Sequence, residues 1–525
     1  MTGQVGDRGR TIGGNRAGRS EPVVVATPHG LVRGLRRDGV DVHRRVPYAA
    51  PPVGRLRFAA PAPPAPWTGI RQAASASTRA IQPLPPPVRA ARLVGPRGRY
   101  GENCLTVDVV APAGSAADTA AGRPGRPVLV WVHGGAYRTG GAADYDGAPL
   151  ARLGDLVVVT VNYRLGAFGF LDVADAIGLD PADSRFPGNV GVRDVLAALA
   201  WIRAAIAAFG GDPARVTVAG ESAGAGLVTS LLLSPAARGL FAGVIAQSGA
   251  PTMNTEREDA AAAAREFLLA LGAGPENAAR VLATAPPSRV LAAMRRVNAL
   301  RPDGLPFRPW FDGDLLPVSA AAARSAPTLA VPLLIGTNRD EHRLFSVLRQ
   351  AVVPRTRERI AVMLVAEHGA PRASAILRSY PDDAAGLSDL GTHGVFTMPA
   401  VHLADRHSGV APTYRYRFDF GTSRLGLGAF HAIDLMFVFD SPRVLGRALF
   451  GSPAPARDAL ADRVKRHWVQ FVRTGSPGGD WPGGDWPRYD TPRRATRLLD
   501  VADSVADDPE GDRRRVWHGA EVPVP

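Results

Sequence analysis

The distribution of apolar and polar positions predicts a chain in which buried strands alternate with amphipathic helices. Residues 128–132 and 156–161 are almost continuously apolar, as expected of parallel strands covered on both faces. A third, β-branched segment at 215–219 leads into Gly-Glu-Ser-Ala-Gly at 220–224. Strand, helix and strand in this order require a right-handed crossover, which predicts an α/β fold with a large, mostly parallel twisted sheet and helices on both faces.

The helix of this unit follows from apolar residues at spacings of three and four. They are Val192, Val195, Leu196, Leu199, Ile202, Ile206 and Phe209. Asn189 is expected to cap the start of the helix, and Gly210 with Gly211 to end it.

Similar patterns place the remaining elements. Strands are predicted at 23–32, 39–46, 105–111, 241–247, 331–335 and 413–420, the last half-exposed near a sheet edge because aromatic residues alternate with Arg415, Arg417 and Asp419. Residues 82–99 and 113–127 are predicted to be loops, and the proline-rich residues 46–58 an extended surface connector. Residues 255–299 and 356–410 are predicted to be helical. A final helix carries Leu460, Val464, Trp468 and Phe471 on one face.

These elements predict one domain over residues 21–520, with helical insertions around 255–330 and 350–410 that cover the site. Residues 1–20, rich in arginine and glycine, are expected to be a disordered tail and not a signal peptide, because they lack an apolar run. No stretch approaches the roughly 20 apolar residues of a membrane span.

Composition narrows the class of protein. The 525 residues carry a net charge of +14, but the basic residues are scattered arginines, with Lys465 as the only lysine. A nucleic-acid surface would need them clustered with aromatic residues, so no such partner is predicted. Cys104 is the only cysteine, which excludes an intrachain disulfide and favours a reducing compartment. We therefore expect a cytoplasmic protein with a buried structural thiol, and a composition typical of a GC-rich bacterial genome.

The segment 215–226 predicts a strand, a tight turn and a helix, with Ser222 at the turn. Gly220 and Gly224 suit this interpretation because side chains there would collide with the neighbouring strand and helix. The helix that begins at the turn directs backbone N–H groups and its positive dipole end at the serine. In a chain with 58 glycines the motif alone could arise by chance, but its context favours the nucleophile of a serine hydrolase.

A serine hydroxyl needs a base, and that base needs a carboxylate to orient it. The turn after residues 331–335 offers Glu341, with Asp340 as the alternative, and a later turn offers His431 in Gly-Ala-Phe-His. Both follow predicted strands, at the sheet edge where α/β folds place catalytic groups. The other histidines after the acid suit surface or core positions better.

Backbone N–H groups for an oxyanion hole are predicted in His-Gly-Gly-Ala at 133–136, directly after a strand, together with Ala223. His133 is expected to brace this loop. Glu221, beside the serine, is expected to be a partly buried structural carboxylate.

The chain resembles the type-B carboxylesterases of the α/β-hydrolase superfamily, a group that also contains cholinesterases. The resemblance runs from about residue 46 to 490. It is carried by Val-Pro-Tyr-Ala at 46–49, Glu-Asn-Cys-Leu at 102–105, Asn-Tyr-Arg-Leu-Gly at 162–166, Phe-Gly-Gly-Asp-Pro at 209–213, Gly-Glu-Ser-Ala-Gly at 220–224, Gln-Ser-Gly at 247–249 and Trp-Pro-Arg-Tyr-Asp at 486–490.

This resemblance implies an α/β-hydrolase fold and hydrolysis of small-molecule carboxylic esters through an acyl-enzyme, without metal or cofactor. It implies Ser222 as nucleophile, Glu341 as triad acid and His431 as base. The implied oxyanion hole consists of the N–H groups of Gly135, Ala136 and Ala223. The chain departs from the family pattern at Ala136, where many members have a third glycine, and at His342, where glycine is frequent.

Three alternatives remain beside an esterase. An amide or carbamate hydrolase would use the same triad and hole. A non-catalytic adhesion protein is a second alternative, although such relatives usually lose the serine or histidine that this chain keeps. A cholinesterase is disfavoured, because recognition of a quaternary ammonium group needs aromatic faces. The loop at about 81–103, which by the resemblance corresponds to the loop of the cholinesterase cation pocket, contains Tyr100 as its only aromatic residue. The sequence does not indicate an oligomeric state.

Overall fold

The structure is a computed structural model, and it describes residues 20–83, 99–179, 185–302, 304–348, 356–422, 424–439, 450, 454–517, 520 and 522. All but the last residue of the tail predicted at 1–20, and most of the loop predicted at 82–99, lie outside these residues.

In the part of the chain that the structure describes, a 13-stranded mixed sheet forms the centre of the fold. Its strands are β1 Glu21–Thr27, β2 Gly30–Arg37, β3 Val40–Pro47, β4 Ile70–Gln72, β5 Thr106–Pro112, β6 Arg126–Val132, β7 Val157–Val161, β8 Gly211–Glu221, β9 Gly243–Gln247, β10 Leu333–Asn338, β11 Thr413–Phe418, β12 Ala495–Leu499 and β13 Ser504–Asp507. The spatial order is β1-β2-β3-β5-β7-β6-β8-β9-β10-β11-β12-β13, with β4 beside β2. Neighbours from β7 to β12 in this order are all parallel, and antiparallel pairs flank them on both sides.

The helices before the insertions are α1 Ser115–Ala120, α2 Ala148–Gly154, α3 Ala167–Phe170, α4 Val173–Ala176, α5 Val190–Ala205 and α6 Ala223–Leu231. Between β9 and β10 lie α7 Arg257–Leu271, α8 Ala278–Thr284, α9 Pro287–Leu300 and α10 Ala320–Ser325. Between β10 and β11 lie α11 His342–Leu348, α12 Arg357–His368, α13 Ala370–Arg378, α14 Ala384–Thr392, a π-helix His393–Thr397 and α15 Met398–His407. The last helices are α16 Leu435–Val438, α17 Ala454–Thr474 and α18 Gly511–Trp517.

The core has two layers, one on each face of the sheet. Along β6, Val128, Val130 and Val132 belong to one layer, whereas Leu129 and Trp131 belong to the other. Successive strand residues point to opposite faces, so a strand buried on both sides must be apolar throughout. The parallel strands predicted from continuous apolar runs are confirmed on this basis.

Four local predictions were wrong. The segment 23–32 is a hairpin of β1 and β2, because Pro28 cannot donate to a sheet ladder and the chain turns there. The loop predicted at 113–127 contains α1. The connector at 46–58 is not confined to the surface, since Tyr48 and Phe58 are buried. Asn189 precedes α5 but has φ 44° and makes no capping bond to it, because its side-chain oxygen accepts from the N–H of Trp310 at 3.1 Å while its amide nitrogen donates to Trp310 O and Asp312.

Strand β11 also differs from its prediction, since it is buried and lies inside the sheet, with β12 and β13 beyond it. Its arginines misled the prediction. Arg415 is 1% exposed because its guanidinium donates to Glu510 and Thr496, each at 2.8 Å. Arg417 donates to the other Glu510 oxygen at 3.0 Å. The charged residues of this strand therefore indicate ion pairs with a distant segment, and not an exposed face of the strand.

Cys104 is a free, buried thiol, as predicted, and burial raises its pKa to about 12. Within the described ranges, no helix is both long enough and apolar enough to cross a bilayer.

Replacing Glu510 by alanine should lower the free energy of unfolding by about 3–5 kcal/mol, because it leaves the buried Arg415 without its carboxylate partner. Chemical denaturation monitored by circular dichroism measures this change. Asp507→Ala is the matched control, since it removes a carboxylate from the exposed Arg493–Asp507 pair and should cost about 0–1 kcal/mol. Equal effects of the two substitutions would contradict the role assigned to Glu510.

Candidate active site

Ser222 lies at the turn between β8 and α6, with φ 55° and ψ −123°. Such a conformation is unusual for a residue with a side chain and costs on the order of 1–3 kcal/mol. Two backbone bonds of 2.8 Å hold it, from Ser222 N to Gln247 O and from Gly226 N to Ser222 O. The strand, turn and helix predicted around this serine are therefore present.

The flanking glycines are explained by steric contact. A Cβ atom on Gly220 would lie 2.5 Å from the carbonyl carbon of Gly224, and one on Gly224 would lie 2.1 Å from Val132 O. Real Cβ atoms do not come this close to backbone atoms. The glycines thus let the start of α6 approach β6 and β8, as the sequence predicted.

The structure brings together the three residues predicted for the triad. His431 Nε2 lies 2.9 Å from Ser222 Oγ, and His431 Nδ1 lies 2.6 Å from Glu341 Oε2. The second oxygen of Glu341 accepts from the N–H of Asn338 at 2.7 Å, which fixes the carboxylate at the end of β10. All three side chains are buried. This arrangement allows the imidazole to take a proton from the hydroxyl while the carboxylate stabilises its charge.

Asp340, the alternative acid, makes contacts elsewhere. Its carboxylate accepts from the N–H of Ala429 at 2.8 Å and pairs with Arg343 at 2.9 Å and Arg339 at 3.1 Å. These bonds tie the turn after β10 to the loop that carries His431. The structure therefore places Glu341, and not Asp340, against the imidazole.

Glu221 occupies a position that the sequence analysis did not foresee. It is fully buried rather than partly buried, and its Oε1 lies 3.2 Å from His431 Nε2, the same nitrogen that faces Ser222. Burial raises the pKa of Glu221, although His431 opposes this. Burial alone would lower the pKa of His431, but Glu221, Glu341 and Asp434 outweigh it, so the pKa of the imidazole is raised. Glu221 and His431 face each other closely enough to titrate as a coupled pair.

Asp434 completes this group of carboxylates beneath the imidazole. Its Oδ2 accepts from Gln247 Nε2 at 2.8 Å and from Tyr416 Oη at 2.9 Å, and Gln247 in turn accepts from Trp468 Nε1 at 2.9 Å. Burial raises the pKa of Asp434. Its position three residues after His431 was the only sequence signal for its electrostatic effect on the imidazole.

The loop after β6 lies directly against the serine. A Cβ atom on Gly134 would lie 3.1 Å from Ser222 Cβ. Gly135, Ala136 and Tyr137 all have positive φ, at 111°, 56° and 55°, so the loop turns sharply there. The N–H groups of residues 138 and 139 both donate to Gly135 O at 3.0 Å and close the turn.

His133 braces the loop as expected. Its Nδ1 lies 2.8 Å from Gly134 O, its ring stacks on Tyr163 at 4.6 Å, and burial lowers its pKa to about 4. The imidazole is therefore neutral at pH 7. Because a carbonyl only accepts, its proton resides on Nδ1.

A small pocket opens over Ser222, with a volume of about 10 Å³, which corresponds to about one water molecule. Its wall consists of Ala136, Tyr137, Ala223, Met253, Leu305, Val395 and Phe396. Of the three residues predicted for the oxyanion hole, Ala136 and Ala223 thus face the pocket and Gly135 lies one residue behind. Ala223 is the first residue of α6, so its N–H has no acceptor within the helix.

Two phenylalanines also contact the imidazole, and sequence patterns gave no sign of them. The ring centroids of Phe345 in α11 and Phe396 in the π-helix each lie 4.9 Å from the ring centroid of His431. The two phenyl rings are nearly parallel, with their centroids 6.0 Å apart. A residue near the end of the chain also holds the π-helix, because Val522 N donates to Gly394 O at 3.1 Å. π-Helices occur frequently at functional sites.

The chain is similar to known proteins over nearly its whole length. A profile of the carboxylesterase family matches residues 21–517, more of the chain than the sequence motifs covered. The chain is 36% identical to the para-nitrobenzyl esterase of Bacillus subtilis over 500 residues, covering 94% of this chain and 98% of the relative. It is 32% identical to human carboxylesterase 5A, covering 84% and 78% of the two chains. A solved PNB esterase superimposes with a TM-score of 0.82 at 35% identity, and a Geobacillus stearothermophilus carboxylesterase with 0.79 at 34%, each covering 94% of this chain and 99% of the other.

Proposed function

The chain belongs to the carboxylesterase family, and we propose that it hydrolyses carboxylic esters with Ser222 as nucleophile, His431 as general base and Glu341 as the acid that orients the base. The observation that carries this proposal is the continuous contact from Glu341 Oε2 through the imidazole to Ser222 Oγ, at 2.6 Å and 2.9 Å. Without such a partner a serine hydroxyl is too weak a nucleophile at neutral pH.

In the first half of the reaction, His431 takes the proton of Ser222 as its oxygen attacks the ester carbonyl. The N–H groups of Gly135, Ala136 and Ala223 stabilise the negative charge that develops on the carbonyl oxygen. His431 then gives the proton to the departing alcohol, which leaves an acyl group on Ser222. A water molecule, deprotonated by His431, attacks this acyl-enzyme and releases the acid.

The charge distribution supports these roles. During each attack the imidazole becomes positively charged, and the buried carboxylates of Glu341, Glu221 and Asp434 surround it. Charge interactions are strong in such a water-poor site. Glu341 has the additional task of holding the Nδ1 proton, so that Nε2 faces the serine as an acceptor.

Ser222→Ala should reduce kcat on p-nitrophenyl butyrate by about a millionfold, the scale of nucleophile loss in other triads. The variant should also fail to react with a fluorophosphonate probe that labels the wild-type chain. Circular dichroism and the unfolding midpoint serve as folding controls. A folded Ser222→Ala chain with near-normal turnover would refute the assignment.

Glu341→Gln should lower kcat by about ten-thousandfold, because an amide can hold the imidazole in the wrong tautomer and does not stabilise its charge. Asp340→Asn is the matched control. This substitution also replaces a carboxylate by an amide, at the adjacent residue. Because Asp340 contacts Ala429 and Arg343 and not the imidazole, a much smaller loss of kcat is expected. A reversed order of the two losses would assign the acid to Asp340.

The acidic limb of the pH profile of kcat/KM should have its midpoint above the ordinary histidine pKa of about 6.5. The base works only when neutral, and the carboxylates around His431 raise its pKa, so activity is lost on acidification at a higher pH than usual. Glu221→Gln removes one of these charges and should move the midpoint down by about one pH unit. An unchanged or upward-shifted midpoint would contradict this coupling.

A further inference from the structure

Tyr137, in the loop after β6, has a buried hydroxyl without a partner. The residue is 1% exposed, and its Oη has no hydrogen-bond partner among the residues that the structure describes. Buried hydroxyl groups are nearly always hydrogen-bonded, because leaving water without gaining a partner costs free energy. A phenylalanine would fill the same space without this cost. The resting fold therefore gives no reason for the hydroxyl.

Other buried tyrosines of the chain follow the general rule. Tyr48 Oη donates to Asn162 O at 2.7 Å, and Tyr163 Oη donates to His133 O at 2.9 Å. Both are buried as deeply as Tyr137. Burial alone therefore does not prevent a tyrosine of this fold from finding an acceptor.

The position of the Tyr137 side chain is fixed from both ends. Its backbone has φ 55°, and its carbonyl oxygen accepts from Gly166 N at 2.7 Å. Its ring meets the ring of Phe170 edge to face, with the centroids 5.3 Å apart. The hydroxyl is thus held where it is.

The place where it is held belongs to the pocket over Ser222. Tyr137 and Met253 both line this pocket. A Cβ atom on Gly226 would collide with Tyr137 Oη and would lie 3.2 Å from Met253 Sδ, so both side chains lie against the same glycine. Gly226 N donates to Ser222 O, which puts this glycine one helical turn after the serine. One turn is about 5.4 Å, a distance that a short acyl chain on Ser222 Oγ spans.

Tyr137 supplies a polar group to a pocket that is otherwise apolar. Of the described lining residues only Ser222 and Tyr137 carry a hydroxyl, and the others are Ala136, Ala223, Met253, Leu305, Val395 and Phe396. Burial raises the pKa of Tyr137 above its ordinary value, although Arg308 opposes this. The hydroxyl therefore keeps its proton at neutral pH and can donate a hydrogen bond.

The acyl part of an ester is the part that can meet this hydroxyl. The carbonyl carbon bonded to Ser222 Oγ carries an oxygen, the departing alcohol and the acyl chain. In the proposed reaction the oxygen faces the N–H groups of the loop at 135–136. The alcohol faces His431 Nε2, which gives it a proton. The acyl chain is left for the wall that Tyr137 and Met253 form.

We propose that Tyr137 Oη donates a hydrogen bond to an oxygen in the acyl chain, close to the reacting carbonyl. The enzyme then prefers esters of short alkoxy acids to esters of alkanoic acids of the same size. A site with a buried polar group disfavours a substrate that leaves that group unpaired. The inference rests on the proposed function of Ser222 and adds the class of acyl group.

Two matched pairs of esters test this preference. Ethyl methoxyacetate and ethyl butyrate have acyl groups of equal size, and the first has an oxygen in place of a methylene group. Ethyl β-methoxypropionate and ethyl pentanoate place the same exchange one carbon further from the carbonyl. Hydrolysis is followed by titration at constant pH. In at least one pair, the ratio of kcat/KM should exceed the ratio of the hydroxide-catalysed rates by about three- to tenfold, the effect of one hydrogen bond.

Tyr137→Phe removes the hydroxyl and should reduce this ratio by about three- to tenfold. Intrinsic reactivity cancels, because the same two esters are compared on both proteins. The unfolding midpoint should stay the same or rise, since the variant loses a buried hydroxyl that has no partner. Tyr48→Phe is the matched control. It removes a buried hydroxyl that donates to Asn162 O, so it should lower the midpoint and leave the ratio unchanged.

The outcomes separate the two proposals. Turnover without a preference in either pair, or a preference that Tyr137→Phe leaves intact, overturns the role of Tyr137 and leaves that of Ser222 standing. A midpoint that falls as far in Tyr137→Phe as in Tyr48→Phe also overturns it, because the hydroxyl would then have a structural partner. Absence of turnover on all four esters, together with no fluorophosphonate labelling, would contradict the proposed function itself.

Discussion

The rest of the site depends on a strained turn at one residue. Ser222 has φ 55°, which projects its hydroxyl from the end of β8 into the pocket while the helix α6 begins behind it. The turn exists only because Gly220 and Gly224 let three backbone segments approach to distances that any side chain would prevent. The bonds to Gln247 and Gly226 hold it from two sides. A single local geometry thus fixes the position of the Ser222 hydroxyl, the start of α6 and the distance from the hydroxyl to the imidazole.

The imidazole is the second element of this arrangement, and its surroundings are unusually acidic. Glu341 contacts one ring nitrogen and Glu221 the other, while Asp434 lies below, held by Gln247. Burying several carboxylates near one another is costly unless a positive charge appears among them. During the proposed reaction that charge forms on the imidazole at each proton transfer. The carboxylates that destabilise the resting site therefore stabilise the positively charged imidazole through which the proposed reaction passes.

Much of the fold and the turn at Ser222 could be predicted from sequence, because they depend on local patterns. The meeting of Ser222 with His431 and Glu341 was instead expected from the resemblance to a family, since the three residues are distant in sequence. Apolar runs identified the parallel strands, and the glycines at 220 and 224 identified the turn. The errors came where partners are distant in sequence. Arg415 in β11 indicated an exposed edge until Glu510, 95 residues away, was seen to neutralise it. Glu221 gave no sign of its contact with the imidazole, since that contact depends on how the end of β8 and the loop of His431 converge. The pocket wall, which includes Phe396, comes from a π-helix that no periodicity distinguishes from an ordinary helix.

The pocket at Ser222 is small and is lined mainly by apolar side chains. The central claim, that the hydroxyl at the strained turn carries the acyl group, has a direct test. The chain is mixed rapidly with p-nitrophenyl butyrate, quenched in acid and digested with trypsin. The peptides are then analysed by mass spectrometry. We expect one butyryl group per chain, on the peptide of residues 216–238, formed as fast as the burst of p-nitrophenol. A butyryl group on any other peptide, or a burst without an adduct on this one, would contradict it.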